Sequence, residues 1–516
     1  MRGPHNIVRL VRTGATLERT GAMTVILDAF QAPPLLRGVL RGLALPFAWL
    51  GYRGDEAMPP VPRALTVLGP AYIKFGQILS TRPDVVGEEL ATQMRVLQDK
   101  LPPFPTEQAM RTVESELEMP VEAIFSEFSE PVAAASIAQV HRAVLVETGE
   151  AVAVKVLRPG IERAFRRDVD AFYFAARMVS WLAPQARRLR PMEVIEHFDG
   201  VVQGELDLRL EVSAGAEFAE YTKRDEGFRL PKVHWFLSSR RVMTQGWVEG
   251  IGAGDIAAIE AAGHDRYALG ERVLRLFLSH ALRDGYFHAD MHQGNLKIGP
   301  EGDIVAYDFG IMGRLDEYTR RVYAEILFGF IRRDYRRVAE VHFEAGYVPP
   351  DRDIDAFAQA LRSVGEPIFG MDASRISMGR LLSYLFEVTE RFGMETRTEL
   401  ILLQRTMVVV EGVSRSLNPQ INIWSVAQPV VADYVRKNVG PQALARDLAR
   451  TAQVLARFGP RLPALAERAL IDARRASDAA SSVPKRPELR PAMWMAFGAG
   501  LTGAGVLLAA LVAAML

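Results

Sequence analysis

The sequence predicts an α+β fold in two lobes, strands first and helices after, followed by a membrane-spanning helix. Three observations predict it. Two apolar runs flank a glycine-bearing turn within residues 140–157, helical periodicity dominates after about residue 251, and the last 26 residues carry no charge. At 516 residues the chain exceeds one small core. A hydrophobic content of 49% with 24% charged residues is that of a globular protein. Sixty-two basic and 62 acidic side chains cancel, so no electrostatic argument favours a nucleic-acid partner and none is expected. The absence of cysteine excludes disulfides, thiolate metal sites and cysteine nucleophiles.

Residues 1–62 form a basic N-terminal arm. Met1 to Arg53 holds seven Arg, no Lys and only Glu18 and Asp28, which suits either contact with an anionic membrane surface or a solvated basic extension. Met58–Arg63 (MPPVPR) closes the arm, and a helical extension follows over 63–125. The N-lobe spans 126–250. Val140–Val146 and Ala151–Leu157 read as a hairpin with Gly149 in its turn, and Val233–Leu237 with Arg241–Val248 as a second strand pair. The helical C-lobe spans 251–476, including helices over Glu271–Arg283 and Glu317–Phe330. The polar stretch 477–490 is a linker.

Pro491–Leu516 is long enough for a ~30 Å hydrocarbon core at about 1.5 Å per residue. Trp494 suits the interface, and Lys485, Arg486 and Arg490 would keep the preceding domain cytoplasmic. Ala496, Gly500 and Ala504 recur every four positions, a spacing that suits close helix–helix contact. The expectation is a single-span C-terminal anchor in the inner membrane, with a homodimer left open.

The chemistry is concentrated in His288-Ala-Asp-Met-His-Gln-Gly-Asn295 and Ile304-Val-Ala-Tyr-Asp308-Phe-Gly310. Phosphoryl transfer needs a carboxylate near the acceptor hydroxyl, for which Asp290 is the candidate. It also needs an amide and a second carboxylate facing the metal that bridges the phosphates, here Asn295 and Asp308. Magnesium takes such hard oxygen ligands and keeps several waters. His288 and His292 could serve as zinc ligands four apart only on a helix, and Gly294 argues for a loop. Upstream, Val152, Val154 and Val156 share one face of a strand while Ala153 and Lys155 share the other. A lysine there needs an anion, and the V-A-x-K pattern of kinases offers nucleotide phosphates and a helix glutamate, with small Ala153 leaving room for adenine. The acids Glu205, Asp207 and Glu211 on one apolar helical segment are candidates for that partner. No G-x-G-x-x-G precedes the hairpin. Pro131–Val140 puts Ala134, Ala135 and Ser136 in its place, without glycine's freedom at positive φ.

Together these residues resemble the UbiB family of atypical protein-kinase-like proteins. The alanine-rich loop ending in Ser136 is similar to that family's substitute for the glycine loop. Gly69–Asp84, with Lys74, Gly76 and Gln77, resembles its K-x-G-Q extension, continued by Leu97-Gln98-Asp99, and Glu205 with Asp207 matches its E-x-D pair. The resemblance implies an atypical kinase-like two-lobe fold that binds ATP and Mg²⁺. It implies that Lys155 pairs with Glu211 and binds the phosphates, and that Asn295 and Asp308 hold the metal. Asp290 would be the acid–base residue, while Lys74 and Gln77 fold over the site to contact Glu205 and Asp207. It further implies ATPase or small-molecule kinase activity in support of ubiquinone biosynthesis, with membrane lipid, quinone-precursor lipid and quinone-biosynthesis enzymes as partners. Ala214 replaces a frequent asparagine, and Gln245 with Gly246 replaces the usual hinge acid, which bears on nucleotide selectivity. The competing functions are a true protein kinase and a non-catalytic nucleotide-gated scaffold, for which Asp290 would be dispensable. Every reading requires Lys155, Asp290, Asn295 and Asp308 to gather around one magnesium–triphosphate.

Overall fold

A computed structural model of the chain describes residues 5–29, 34–80, 86–94, 96–97, 102–182, 191–370, 391–394 and 398–439, with Tyr384, Val388 and Ala449 singly. The expected linker, the expected anchor at 491–516, Arg82–Asp84, Gln98 and Asp99 lie outside them. No described helix is long and apolar enough to cross a membrane. The chain divides into two compact units. Among the described residues, one holds those up to Leu210 and His234–Gly246; the other holds Glu211–Val233 and those from Trp247 onward.

The first unit is built on an antiparallel sheet in which β1 (Phe125–Ala134), β2 (Ala138–Leu145) and β3 (Ala151–Leu157) are neighbours in order and Val242–Gly246 completes the far edge. β3 alternates as its sequence requires. Val152, Val154 and Val156 are fully buried, while Ala153 and Lys155 are half-exposed. The three valines pack with Ala143, Val242, Phe125 and, from the helix Thr106–Leu117, Ala109 and Val113. Each contributes up to about 1.5–3 kcal/mol of hydrophobic stabilisation. The turn closes as its glycine demands: Gly149 has φ 69° and donates to the Leu145 carbonyl at 2.9 Å.

The expected pairing of Val233–Leu237 with Arg241–Val248 forms only at its start, where the His234 N–H donates to the Thr244 carbonyl at 2.9 Å. Trp235–Leu237 is then a tight 3-10 turn, and Val242–Gly246 pairs along its length with β3. Serine side chains divert the backbone. The Val242 N–H donates to Ser239 Oγ at 3.2 Å and the Thr244 N–H to Ser238 Oγ at 3.0 Å, positions a partner strand would have filled.

Helices surround an aromatic cluster in this unit. Tyr72 and Phe75 of the helix Pro70–Ser80 meet Phe172 of Ile161–Leu182 and Phe198 of Pro191–Glu205, with ring centroids 5.0–5.7 Å apart. Gly76 permits this packing, since a Cβ there would stand 2.5 Å from Leu97 and 2.6 Å from Leu65. The basic N-terminal residues form the helices His5–Thr20, Ala22–Ala29 and Pro34–Ala44. Their arginines are partnered: Arg9 with Asp168, Arg37 with Asp28 and Arg41 with Glu18. The segment expected as one helix through Glu205, Asp207 and Glu211 is broken. One helix ends at Glu205 and another spans Leu208–Thr222. The Asp207 carboxylate causes the break by accepting from the Arg209 N–H at 3.2 Å and from its guanidinium at 2.5 and 2.8 Å.

The second unit packs Phe277, Leu274, Phe287, Phe309, Leu403 and Val410 into one core. Two small sheets lie in it. One pairs Tyr286–His288 with Met312–Arg314, and the other runs Phe228–Arg229, Ile304–Ala306, Leu296–Ile298, Ile251–Gly252. Asp265 caps the helix Arg266–Ser279 by accepting from the N–H groups of Tyr267 and Ala268. The helix expected over Glu271–Arg283 continues as a π turn over His280–Asp284, which presents Arg283 to two acids. Its guanidinium grips Asp225 at 2.6 and 2.8 Å and Asp284 at 2.6 and 2.8 Å, while His280 Nε2 lies 3.0 Å from Asp225. Asp225, His280 and Asp284 have the spacing of a metal group, but Arg283 and Arg224 already neutralise the carboxylates.

His342, on the helix Tyr335–Glu344, is buried against Tyr347 and Phe357 and donates from Nδ1 to the Val338 carbonyl at 2.7 Å. Burial pushes its pKa down to about 4, against the opposing effect of that bond. A base whose folded pKa is depressed stabilises the fold above the unfolded value near 6.5 and loses that contribution as pH falls towards 4. Between pH 7 and 4, His342→Leu should therefore lose less stability than the wild type, by roughly 3 kcal/mol. Melting temperature followed against pH measures this, and parallel curves for the two proteins would refute it.

Candidate active site

The first unit carries the sites expected to face nucleotide phosphates. Ala134 ends β1, and the Ala135 N–H closes the hairpin on the Ala138 carbonyl at 2.8 Å. Arg158, just past β3, donates to the Ala135 carbonyl from Nε at 3.1 Å and Nη2 at 2.9 Å, and its own N–H bonds the Ile137 carbonyl at 2.8 Å. Ser136 is buried beneath this clamp. Burial lowers the Arg158 pKa, yet the guanidinium still spends two donors on one carbonyl. The alanine loop is thus held by a side chain. A glycine loop closes instead on backbone torsions that alanine avoids. Sequence reasoning missed Arg158; its signal was an arginine directly after the lysine-bearing strand. Lys155 stands opposite Val140 and Met243, and Ala153 opposite Arg142 and Gln245.

Lys74 and Glu205 form an ion pair at 2.8 Å with both side chains largely buried, as the K-x-G-Q resemblance implied. Gln77 donates to the Leu97 carbonyl at 3.3 Å, and Asp207 is held by Arg209. Glu211 sits in the first turn of the helix Leu208–Thr222.

The second unit carries the expected catalytic loop and metal ligands. His288 ends a strand opposite Met312, and its Nδ1 accepts from the Asp290 N–H at 3.0 Å. Burial drives the His288 pKa down to about 4, although the nearby Asp308 charge acts to raise it. The ring is therefore neutral, with its proton on Nε2, and fixes the Asp290 backbone. Asn295 is buried and its Nδ2 donates to the Asp290 carbonyl at 3.0 Å and to Asp290 Oδ2 at 3.3 Å. With the amide nitrogen so committed, its oxygen is the end presented for a metal. Asp308 is half-exposed, and its Oδ1 accepts from the Gly310 N–H at 3.0 Å. One amide oxygen and one such carboxylate fit a divalent cation that favours oxygen. His292 binds the Gly294 N–H through Nδ1 at 2.9 Å in a 3-10 turn, so the two histidines are not paired on a helix.

Phe309 anchors Asp308 from behind. It is buried beside Phe218 and His288, with ring centroids at 6.4 and 6.0 Å. Gly215 faces it so closely that a Cβ would lie 2.7 Å from the ring. The helix Thr398–Leu417 braces the loop from the other side. Buried Thr406 Oγ1 donates to the Ala289 carbonyl at 3.0 Å, and Gln293 Nε2 donates to Ser416 Oγ at 2.8 Å. Nothing in the sequence announced this brace, because it joins residues more than a hundred positions apart.

Residues 96–342 match the ABC1 atypical kinase-like domain, and residues 361–422 the UbiB helical domain. A protein of Marinobacter nauticus named a probable protein kinase UbiB is 39% identical over 427 residues, covering 82% of this chain and 77% of the relative. One of the same name from Azotobacter vinelandii is 36% identical over 509 residues, covering 97% and 93%. Among solved structures, a Mycobacterium tuberculosis protein in complex with erythromycin is similar at TM-score 0.50 and 25% identity, over 71% of this chain and 93% of that one.

Proposed function

Because this chain belongs to the UbiB family of atypical kinase-like proteins, we propose that it binds MgATP and transfers or hydrolyses the γ-phosphoryl group in support of ubiquinone biosynthesis at a membrane. The observation that carries the catalytic part is the Asp290–Asn295 pairing, with His288 bonded to the Asp290 backbone beside the Asp308 charge. In this reading Lys155 binds the phosphates, and Asn295 and Asp308 hold the metal. A magnesium ion held there neutralises charge that builds on the phosphate oxygens. Asp290 takes the proton of the acceptor hydroxyl as that oxygen bonds the γ-phosphorus, and the bridging oxygen departs with ADP. His288 stays neutral and keeps the Asp290 backbone in place. The Lys74–Glu205 pair pins the K-x-G-Q helix to the helix Pro191–Glu205, which supports the reading that the extension disfavours a peptide and leaves a small lipid-like acceptor or water. The membrane reading is supported by the uncharged stretch at 491–516 and the basic residues before it.

The test is phosphate release by the full chain with MgATP, with and without phenols resembling quinone precursors and anionic liposomes. Magnesium-dependent release, stimulated by the phenol or the liposomes, is expected. A folded protein that binds nucleotide and releases no phosphate under any of these conditions would leave only the scaffold role.

A further inference from the structure

We propose that Arg405, outside the kinase-like domain, is an oxyanion-binding residue of the catalytic centre, engaging the transferring phosphoryl group or an anionic group of the acceptor beside Asp290. The inference rests on the reading of Asp290 as the acid–base residue.

Arg405 lies on the helix Thr398–Leu417, and its neighbour Thr406 is the residue bonded to the Ala289 carbonyl, one position before Asp290. Ser416, three turns further along the same helix, bonds Gln293, three positions after Asp290. Both ends of the catalytic loop are therefore fastened to the helix that bears Arg405. The helix itself is pressed against Arg266–Ser279. A Cβ on Gly270 would lie 2.8 Å from the Ser414 carbonyl oxygen and 3.0 Å from Asn418. The position of Arg405 relative to the loop is consequently fixed by packing and hydrogen bonds.

The guanidinium interacts electrostatically with Asp290, and crowding by protein lowers its pKa while the Asp290 charge acts to raise it. The side chain is nevertheless exposed, and among the described residues it makes no hydrogen bond or ion pair. A structural arginine spends its donors on carboxylates or carbonyls, as Arg158 and Arg283 do here. Among the described residues nothing takes the five donors of Arg405, and its charge lies within electrostatic reach of the carboxylate expected to receive the acceptor's proton. A planar fork of donors at that place matches a phosphoryl or carboxylate group, and a cation supplied within the same chain is a known device for phosphoryl transfer.

The experiment compares wild type, Arg405→Gln and Arg405→Lys, with magnesium-dependent phosphate release by the wild type as the control. Failure of that control would refute the parent reading, whatever Arg405 does. With the control in place, contact with the transferring phosphoryl group predicts that Arg405→Gln lowers turnover about tenfold or more while KM for MgATP stays within about threefold. It also predicts lost affinity for ADP with aluminium fluoride but retained affinity for ADP, partial recovery in Arg405→Lys, and rescue of Arg405→Gln by added guanidinium. Contact with an acceptor anion predicts loss of the extra stimulation that a carboxylated phenol gives over its uncharged analogue. Either pattern supports oxyanion binding. A folded Arg405→Gln protein that keeps its turnover, its aluminium fluoride affinity and that stimulation would overturn it.

Discussion

Replacing Asp308 with Asn is expected to lower MgATP turnover by about a thousandfold while leaving the fold intact. The carboxylate accepts from the Gly310 N–H, a bond that an amide oxygen reproduces. Phe309, which fixes the backbone, is untouched. What disappears is a full negative charge at the place where a divalent cation would bind, and an amide is a far weaker ligand for magnesium than a carboxylate. The loss should fall in kcat, with part regained at high magnesium or with manganese. Asn295→Ala should also be severe, since it removes a second oxygen ligand and frees Asp290 from its amide. The two losses should combine to less than their product, because both residues serve one metal. Steady-state phosphate release across a magnesium titration measures this. Equal turnover by wild type and Asp308→Asn would remove the enzyme reading.

The second large effect concerns stability. Asp225→Ala should cost roughly 3–5 kcal/mol, because Arg283 loses two charge-assisted bonds and buried His280 loses its Nε2 partner. Burial alone would raise the Asp225 pKa, but the bonds from Arg283 and His280 outweigh it and hold the carboxyl well below its ordinary range. Its contribution is therefore complete above about pH 4 and fades below it. Asp225→Asn should cost less, since the amide oxygen still accepts one bond. Chemical denaturation of the three proteins at pH 7 decides the order, and a loss under about 1 kcal/mol for Asp225→Ala would refute the account.

Sequence alone revealed those features that rest on local order. The alternation in β3 needed only a two-residue period, and the turn at Gly149 only a glycine between apolar runs. The loop that joins Asp290 to Asn295 and the turn that bears Asp308 could be proposed because phosphoryl-transfer chemistry fixes residue types at short spacings. The K-x-G-Q contact with Glu205 came from family resemblance, since no local rule pairs residues so far apart. The failures share one cause, a side chain competing with the backbone. Asp207 bonded to Arg209 broke a helix that apolar spacing favoured, and Ser238 with Ser239 took strand donors that β-propensity would have paired. The partners of the N-terminal arginines were likewise invisible, because Asp168 lies 159 positions from Arg9.

The bond from Thr406 to the Ala289 carbonyl limits how the candidate site can be divided. A fragment of residues 96–342 would keep every acid, amide and lysine assigned to catalysis, yet the loop's own carbonyl would turn from a buried hydroxyl to water. The loop that carries Asp290 is thus held by a stretch of chain longer than the domain that contains it.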